Sequence, residues 1–217
     1  MKNFFIALLL IPFTVVAQPS SQVAWTAEQL NFVKSGNLQK GKELAQTCNT
    51  CHGDNGISKI AGIPSLAGQL STYLYKQLQD YSTENRQHVI MSALAKNLSK
   101  QDAADLSVWF ASLSPSSQTT KASAVDKAQD LVKNGSNERI MPPCEVCHGG
   151  RGQGQQIDVP ALSGQNAEYL SATLLAFREG SRHNDIYSRM RLIAETLTDK
   201  EINELGNYYQ GLGSLSY

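Results

Sequence analysis

The feature that most constrains this chain is a five-residue pattern that occurs twice. "CNTCHGDNG" places Cys48, Cys51 and His52 together, and 96 positions later "CEVCHGGRG" does the same with Cys144, Cys147 and His148. The repetition reaches well beyond the motif. At the same offset "PSLAGQ" from Pro64 matches "PALSGQ" from Pro160, and "YLYKQLQDY" from Tyr73 runs beside "YLSATLLAF" from Tyr169. At an offset of 99, "MSALAKNLSKQDAADLSVWFASL" from Met91 lies beside "MRLIAETLTDKEINELGNYYQGL" from Met190, so the second copy carries three extra residues before its methionine. Self-similarity on this scale predicts two like domains in tandem rather than one large core. Between them "SPSSQTTKASA", Ser114 to Ala124, has no apolar period and reads as a linker.

Each repeat carries helical signals. Ser99 with Asp102, and Thr198 with Glu201, have the spacing of an N-cap hydroxyl and an acid at the third helical position, a pair that satisfies otherwise unpaired amides. Leu106, Trp109, Phe110 and Leu113 then recur at helical spacing, as do Ile202, Leu205, Tyr208, Tyr209 and Leu212. A second helix is expected near Ser71 or Asn166 and a third from about Leu38 to Thr47. No stretch alternates like a strand over six or more residues, so the expected class is all-α, with two small domains whose cores are thin for their size.

The chain opens with Lys2, an apolar run from Phe4 to Val16, then Ala17 before "QPSSQ". That order matches a secretory leader, and the run is shorter than the roughly 20 residues a membrane-spanning helix needs. Export with cleavage after Ala17 is expected, with an uncleaved anchor as the alternative. Without Lys2 the chain has 18 basic and 19 acidic residues. Near-neutrality argues against a nucleic-acid partner.

Two thiols three apart with a histidine directly after them suit covalent haem attachment: the thiols bond the porphyrin vinyl groups and the imidazole reaches one face of the iron. Zinc and a redox dithiol are the rivals. Zinc does not need a histidine directly after each pair, and a thioredoxin-like dithiol belongs in a strand-helix pattern that this chain lacks. Two motifs in register favour two covalently attached haem c groups. The sixth ligand follows from the repeat as well. Met91 lies 39 residues after His52 and Met190 lies 42 after His148, each the single methionine between its motif and the end of its repeat. Methionine is also a common core filler; the shared register favours His52 with Met91, and His148 with Met190, as axial pairs. His88 and His183 compete, but neither matches a histidine in the other repeat. A thioether ligand raises the reduction potential and fills the position that a substrate would need.

The covalent motif, the following "P-x-L-x-G-Q" and a methionine about forty residues on resemble a class I cytochrome c, and two such units in one exported chain resemble the di-haem cytochrome c4 family. The resemblance runs from about Gly41 to Leu212. The head around Trp25 to Gly36 and the segment "GGRGQGQQIDV" depart from it. It implies two tandem cytochrome domains, residues 18–113 and 125–217, joined by 114–124 after a leader over 1–17. It further implies that the carbonyls of Pro64 and Pro160 accept the proximal histidines' ring N–H, an ordinary proline turn being the alternative. Arg86 and Arg182 are either propionate partners or solvated surface residues; Gly41 is a helix-packing contact. The function expected is that of a periplasmic electron carrier, soluble or peripheral to the membrane, taking electrons from a quinol-oxidising complex or a dehydrogenase and passing them to a haem-copper oxidase. A dehydrogenase subunit and a small di-haem peroxidase are the alternatives. A linker of eleven residues spans at most roughly 36 Å, which predicts a fixed pair about an approximate two-fold axis, with the surfaces near Thr50 and Val146 meeting partners.

Overall fold

The computed structural model describes residues 21, 23, 25–116, 125–155 and 157–212; the expected leader over 1–17 and residues 117–124 of the expected linker lie outside these. In chain order the helices are α1 (Ala27–Lys34), α2 (Leu38–Leu44) running into a 3₁₀ turn (Ala45–Thr47), α3 (Asn49–His52), α4 (Ser71–Ser82), α5 (Val89–Lys96) and α6 (Lys100–Ser112). The second half has α7 (Val125–Asn134), α8 (Cys144–His148), α9 (Ala167–Arg178), a 3₁₀ turn (Ile186–Ser188), α10 (Arg189–Ala194) and α11 (Asp199–Leu212). Among the described residues no strand forms, only the isolated bridges Ser136 to Met141 and Gln155 to Val159. No described helix is long and apolar enough to cross a membrane.

Both expected caps are present. Ser99 Oγ accepts from Asp102 N at 3.0 Å while Asp102 Oδ2 accepts from Ser99 N at 3.1 Å. Thr198 Oγ1 accepts from Glu201 N at 3.3 Å and Glu201 Oε2 from Thr198 N at 2.9 Å. These pairs satisfy the first amides of α6 and α11 and fix where each terminal helix starts. From there the apolar stripes point inward. Leu106 and Phe110 bury with Ala45 and Leu74 in the first half, and Leu205 and Tyr209 with Leu131, Leu170 and Ile202 in the second.

Where the repeats differ, the structure gives a local reason. The head that departs from the family pattern forms α1, and Val33, Phe32 and Trp25 cover Tyr75 of α4 and Ala103 and Ala104 of α6. In the first half α2 runs almost directly into Cys48; its Gly41 lies against α6 so closely that a Cβ there would sit 2.1 Å from Asp105 O. Only glycine permits that approach. In the second half α7 is instead separated from Cys144 by residues 135–143. This loop is anchored by Arg139, which donates to Glu201 Oε1 and Oε2 at 2.9 Å each and to Thr196 O at 2.8 Å. The three extra residues before Met190 form the 3₁₀ turn, in which Tyr187 and Ser188 both have φ of 57°.

The two halves meet across a seam of reciprocal hydrogen bonds. The Gln69 side chain donates to Ala161 O and accepts from Ala161 N, both at 2.9 Å. Its repeat partner Gln165 donates to Ser65 O and accepts from Ser65 N, both at 2.8 Å. Arg86 donates to Tyr169 Oη and Arg182 to Tyr73 Oη, each at 3.1 Å. Residue i meeting j while the equivalent of j meets the equivalent of i is the signature of a two-fold relation between like units.

Candidate haem sites

Cys144, Cys147 and His148 lie on the single turn α8, and Cys51 and His52 on α3 with Cys48 as its N-cap residue, so the i, i+3, i+4 spacing puts the three side chains of each motif on one side. Glycine closes both turns: Gly53 and Gly149 follow the histidines with φ of 84° and 82°. A side chain would be strained there, and the reversal lets the next loop fold back over the histidine. That loop carries proline. His52 Nδ1 lies 2.8 Å from Pro64 O, and His148 Nδ1 lies 2.9 Å from Pro160 O. A carbonyl only accepts, so Nδ1 carries the proton and Nε2 keeps its lone pair. Burial pushes both imidazoles' affinity for a second proton below the ordinary histidine value, against the opposing effect of the carbonyl. Both rings therefore present a neutral, oriented nitrogen, the form that binds a metal.

The four thiols are free and half-buried. Burial pushes the Cys48 thiol up, and pushes Cys144 up to about 11. Both stay protonated at neutral pH, unlike the depressed thiol of a redox dithiol. Among the described residues no three His, Cys, Asp or Glu side chains gather as a metal-binding group. Met91 and Met190 lie half-buried in the first turns of α5 and α10. Exposed apolar residues flank them: Val89, Ile90 and Leu94 in α5, and Leu192 in α10. Two thiols, a neutral imidazole, a thioether and uncovered apolar side chains together fit haem c. His88 is exposed and caps α5, its Nδ1 accepting from Met91 N at 3.3 Å. His183 offers its carbonyl to Arg191.

Of the two sequence alternatives for the arginines, that of solvated surface residues does not hold: Arg182 is buried and Arg86 half-buried in the seam. Arg182 is buried and donates to Gln77, Asn184 and Tyr73; Arg86 donates to Gln77 and Tyr169. Among the described residues neither guanidinium has a carboxylate partner within salt-bridge distance. Burial raises Tyr169's phenol, but Arg86 and Arg182 outweigh it and bring the group down to about 7. The seam thus brings two guanidinium groups close to the Tyr169 hydroxyl.

Sequence reasoning missed a buried polar chain on one side of this seam. Lys76 Nζ donates to Asp80 Oδ2 at 2.5 Å and to Asn184 O at 2.6 Å; Asn184 Nδ2 donates to Asp80 Oδ2 at 2.7 Å. Ser21 Oγ completes the carboxylate at 2.6 Å. The four-residue spacing of Lys76 and Asp80 is that of any helix-surface pair and carries no sign that the other half would bury it. The repeat positions in α9 are Ala172 and Ala176, so the chain is one-sided.

The family model for cytochrome c matches residues 38–114 and again 125–212. Cytochrome c4 of Azotobacter vinelandii is 36% identical over 189 residues, covering 82% of this chain and 90% of that protein. The "thiosulfate dehydrogenase electron acceptor" of Stutzerimonas stutzeri strain A1501 is 35% identical over 174 residues, covering 78% and 80%. Among solved structures, reduced recombinant cytochrome c4 from Pseudomonas stutzeri superposes with a TM-score of 0.79 at 34% identity, over 82% of this chain and 99% of that one. With two family matches that coincide with two like helical units and two thiol-imidazole turns, the chain belongs to the cytochrome c family and, within it, to the di-haem cytochrome c4 proteins: electron-transfer proteins with covalently attached haem c.

Proposed function

We propose that this chain is a periplasmic electron carrier in which Cys48 and Cys51 hold one haem and Cys144 and Cys147 the other, with His52 and Met91, and His148 and Met190, as the axial ligands. The observation that carries the reading is the duplicated histidine geometry, each Nδ1 tied to a proline carbonyl 12 residues on. The haems supply a one-electron iron couple. The protein's part is to hold each imidazole rigid so that little rearranges on electron transfer, and to place a thioether where a reacting ligand would otherwise enter. Arg182, buried, and Arg86, half-buried, both without carboxylate partners among the described residues, suit the anionic propionate edges and draw both haems toward the seam. Residues 1–17 serve as a cleaved leader, residues 18–113 and 125–217 as the two domains, and 114–124 as the linker.

The donor is a quinol-oxidising complex or a dehydrogenase and the acceptor a haem-copper oxidase, met at the surfaces near exposed Thr50 and Val146. The similarity to a thiosulfate dehydrogenase electron acceptor favours a second reading, in which a dehydrogenase is a lasting partner. Acid-acetone extraction followed by intact-mass measurement tests the attachment: colour stays on a chain beginning at Gln18 and heavier by two haems. One haem, or none, overturns the assignment. Size exclusion of the native extract separates the two partner readings, a carrier running alone and a subunit running with its dehydrogenase.

A further inference from the structure

Among the differences between the two halves is one buried hydroxyl. Phe110 and Tyr209 occupy equivalent positions near the ends of α6 and α11, and the structure shows this equivalence three ways. The Phe110 carbonyl accepts from Gly68 N at 3.0 Å and the Tyr209 carbonyl from Gly164 N at 2.8 Å. A Cβ on Gly56 would lie 3.0 Å from the Phe110 ring, and one on Gly152 would lie 3.0 Å from the Tyr209 ring. Phe110 packs in the cluster that holds Cys48, Tyr209 in the one that holds Cys144. Tyr209 is 4% exposed, stacks edge-on against Tyr208 at 5.2 Å, and its hydroxyl finds no hydrogen-bond partner among the described residues. Buried polar groups are rarely left unpaired, because the desolvation cost is not returned. The group its O–H faces is Cys144 Sγ, a weak acceptor, which is itself directed at Leu131 O, 3.9 Å away.

We propose that the Tyr209 hydroxyl raises the reduction potential of the second haem above the value it would have with the phenylalanine found in the first half. The inference rests on attachment of that haem at Cys144. The O–H faces Cys144 Sγ, which in the holoprotein would be the thioether sulfur on that edge of the haem. A donor on that edge withdraws electron density and disfavours the more positive ferric state. The effect is strengthened by burial, since little water screens it. Tyr209 acts on the iron through the porphyrin periphery and is a positioning residue; the first haem has no counterpart to it, because Phe110 has nothing to donate.

Redox titration of the intact di-haem protein tests this, with Tyr209→Phe and the reciprocal Phe110→Tyr. Tyr209→Phe lowers one of the two one-electron components by roughly threefold to tenfold in its equilibrium with a mediator, about 28 to 59 mV, and leaves the other in place. Phe110→Tyr raises the other. Because Tyr209→Phe removes only an unpaired hydroxyl, its thermal midpoint does not fall. Intact mass is read on each variant: if two haems are present and neither component moves, or both move together, the inference is wrong while the attachment reading stands. If the second haem is missing already from the unsubstituted protein, the attachment reading itself fails.

Discussion

At the scale of single residues, the axial pairs are the most exposed part of the proposal. Each methionine is half-buried at the start of a short helix, and four residues on, Ala95 and Ala194 are almost wholly buried. That register turns one face of α5 and α10 toward the core and sets the methionine's position by packing, independently of any bond its sulfur makes. Met91→Ala or Met190→Ala is therefore expected to leave the fold and both thioether attachments intact. Each opens the sixth position of one iron. The expected outcome is carbon monoxide binding of one equivalent per variant, none in the unsubstituted protein, and a lowered potential at the altered site alone. Stoichiometric carbon monoxide binding by the unsubstituted protein would refute methionine ligation.

Helix starts matter at the next scale, and the second half has put more into one of them. Glu201 closes the cap of α11 and also receives both arms of Arg139, which brings the 135–143 loop onto the helix. The hydrogen bond from Arg139 is the largest favourable cause holding the carboxyl down at about 2, from an ordinary 4.5, with the Thr198 cap adding to it. A depressed carboxyl contributes stability that is complete above its unfolded value and is lost as pH falls from about 4.5 toward about 2. Glu201→Gln should lower the thermal midpoint at pH 7, and the gap from the unsubstituted protein should close between pH 4.5 and pH 2. A gap of the same size at both ends would show that packing, not the ionised carboxylate, carries the effect. Thr198→Ala, which removes the cap hydroxyl, is expected to cost about 1 kcal/mol by chemical denaturation.

For the molecule as a whole, the seam decides whether there are two carriers on a string or one rigid pair. Gln69 and Gln165 each bracket both backbone groups of a residue in the opposite half, and the buried Lys76, Asp80 and Asn184 chain locks one side. Burial pulls Lys76 toward losing its proton, and the charge of Asp80, with the hydrogen bond between them, opposes it. The double variant Gln69→Ala with Gln165→Ala leaves the backbone groups of Ala161 and Ser65 short of partners, a cost of about 1–3 kcal/mol for each group left unsatisfied. Calorimetry is expected to resolve two transitions, one for each half, where the unsubstituted protein gives one. A single transition at an unchanged midpoint would mean that these brackets do not hold the halves together.

The sequence alone determined what depends on neighbours along the chain. Two thiols and an imidazole on one turn, the two methionines in register, the capping pairs and the two-domain count were all legible because covalent spacing and helical period carry them. Even the three-residue insertion was visible, though not its left-handed turn at Tyr187 and Ser188. What it could not give was which polar residues face the other half. Arg86 and Arg182 read equally well as solvated side chains and Tyr209 as one more aromatic on an apolar stripe, while Lys76 and Asp80 carried no mark beyond a four-residue spacing. Their roles depend on desolvation: the seam and the core remove water from groups more than 80 residues apart in sequence, and only then does a partner, or the lack of one, set their energy.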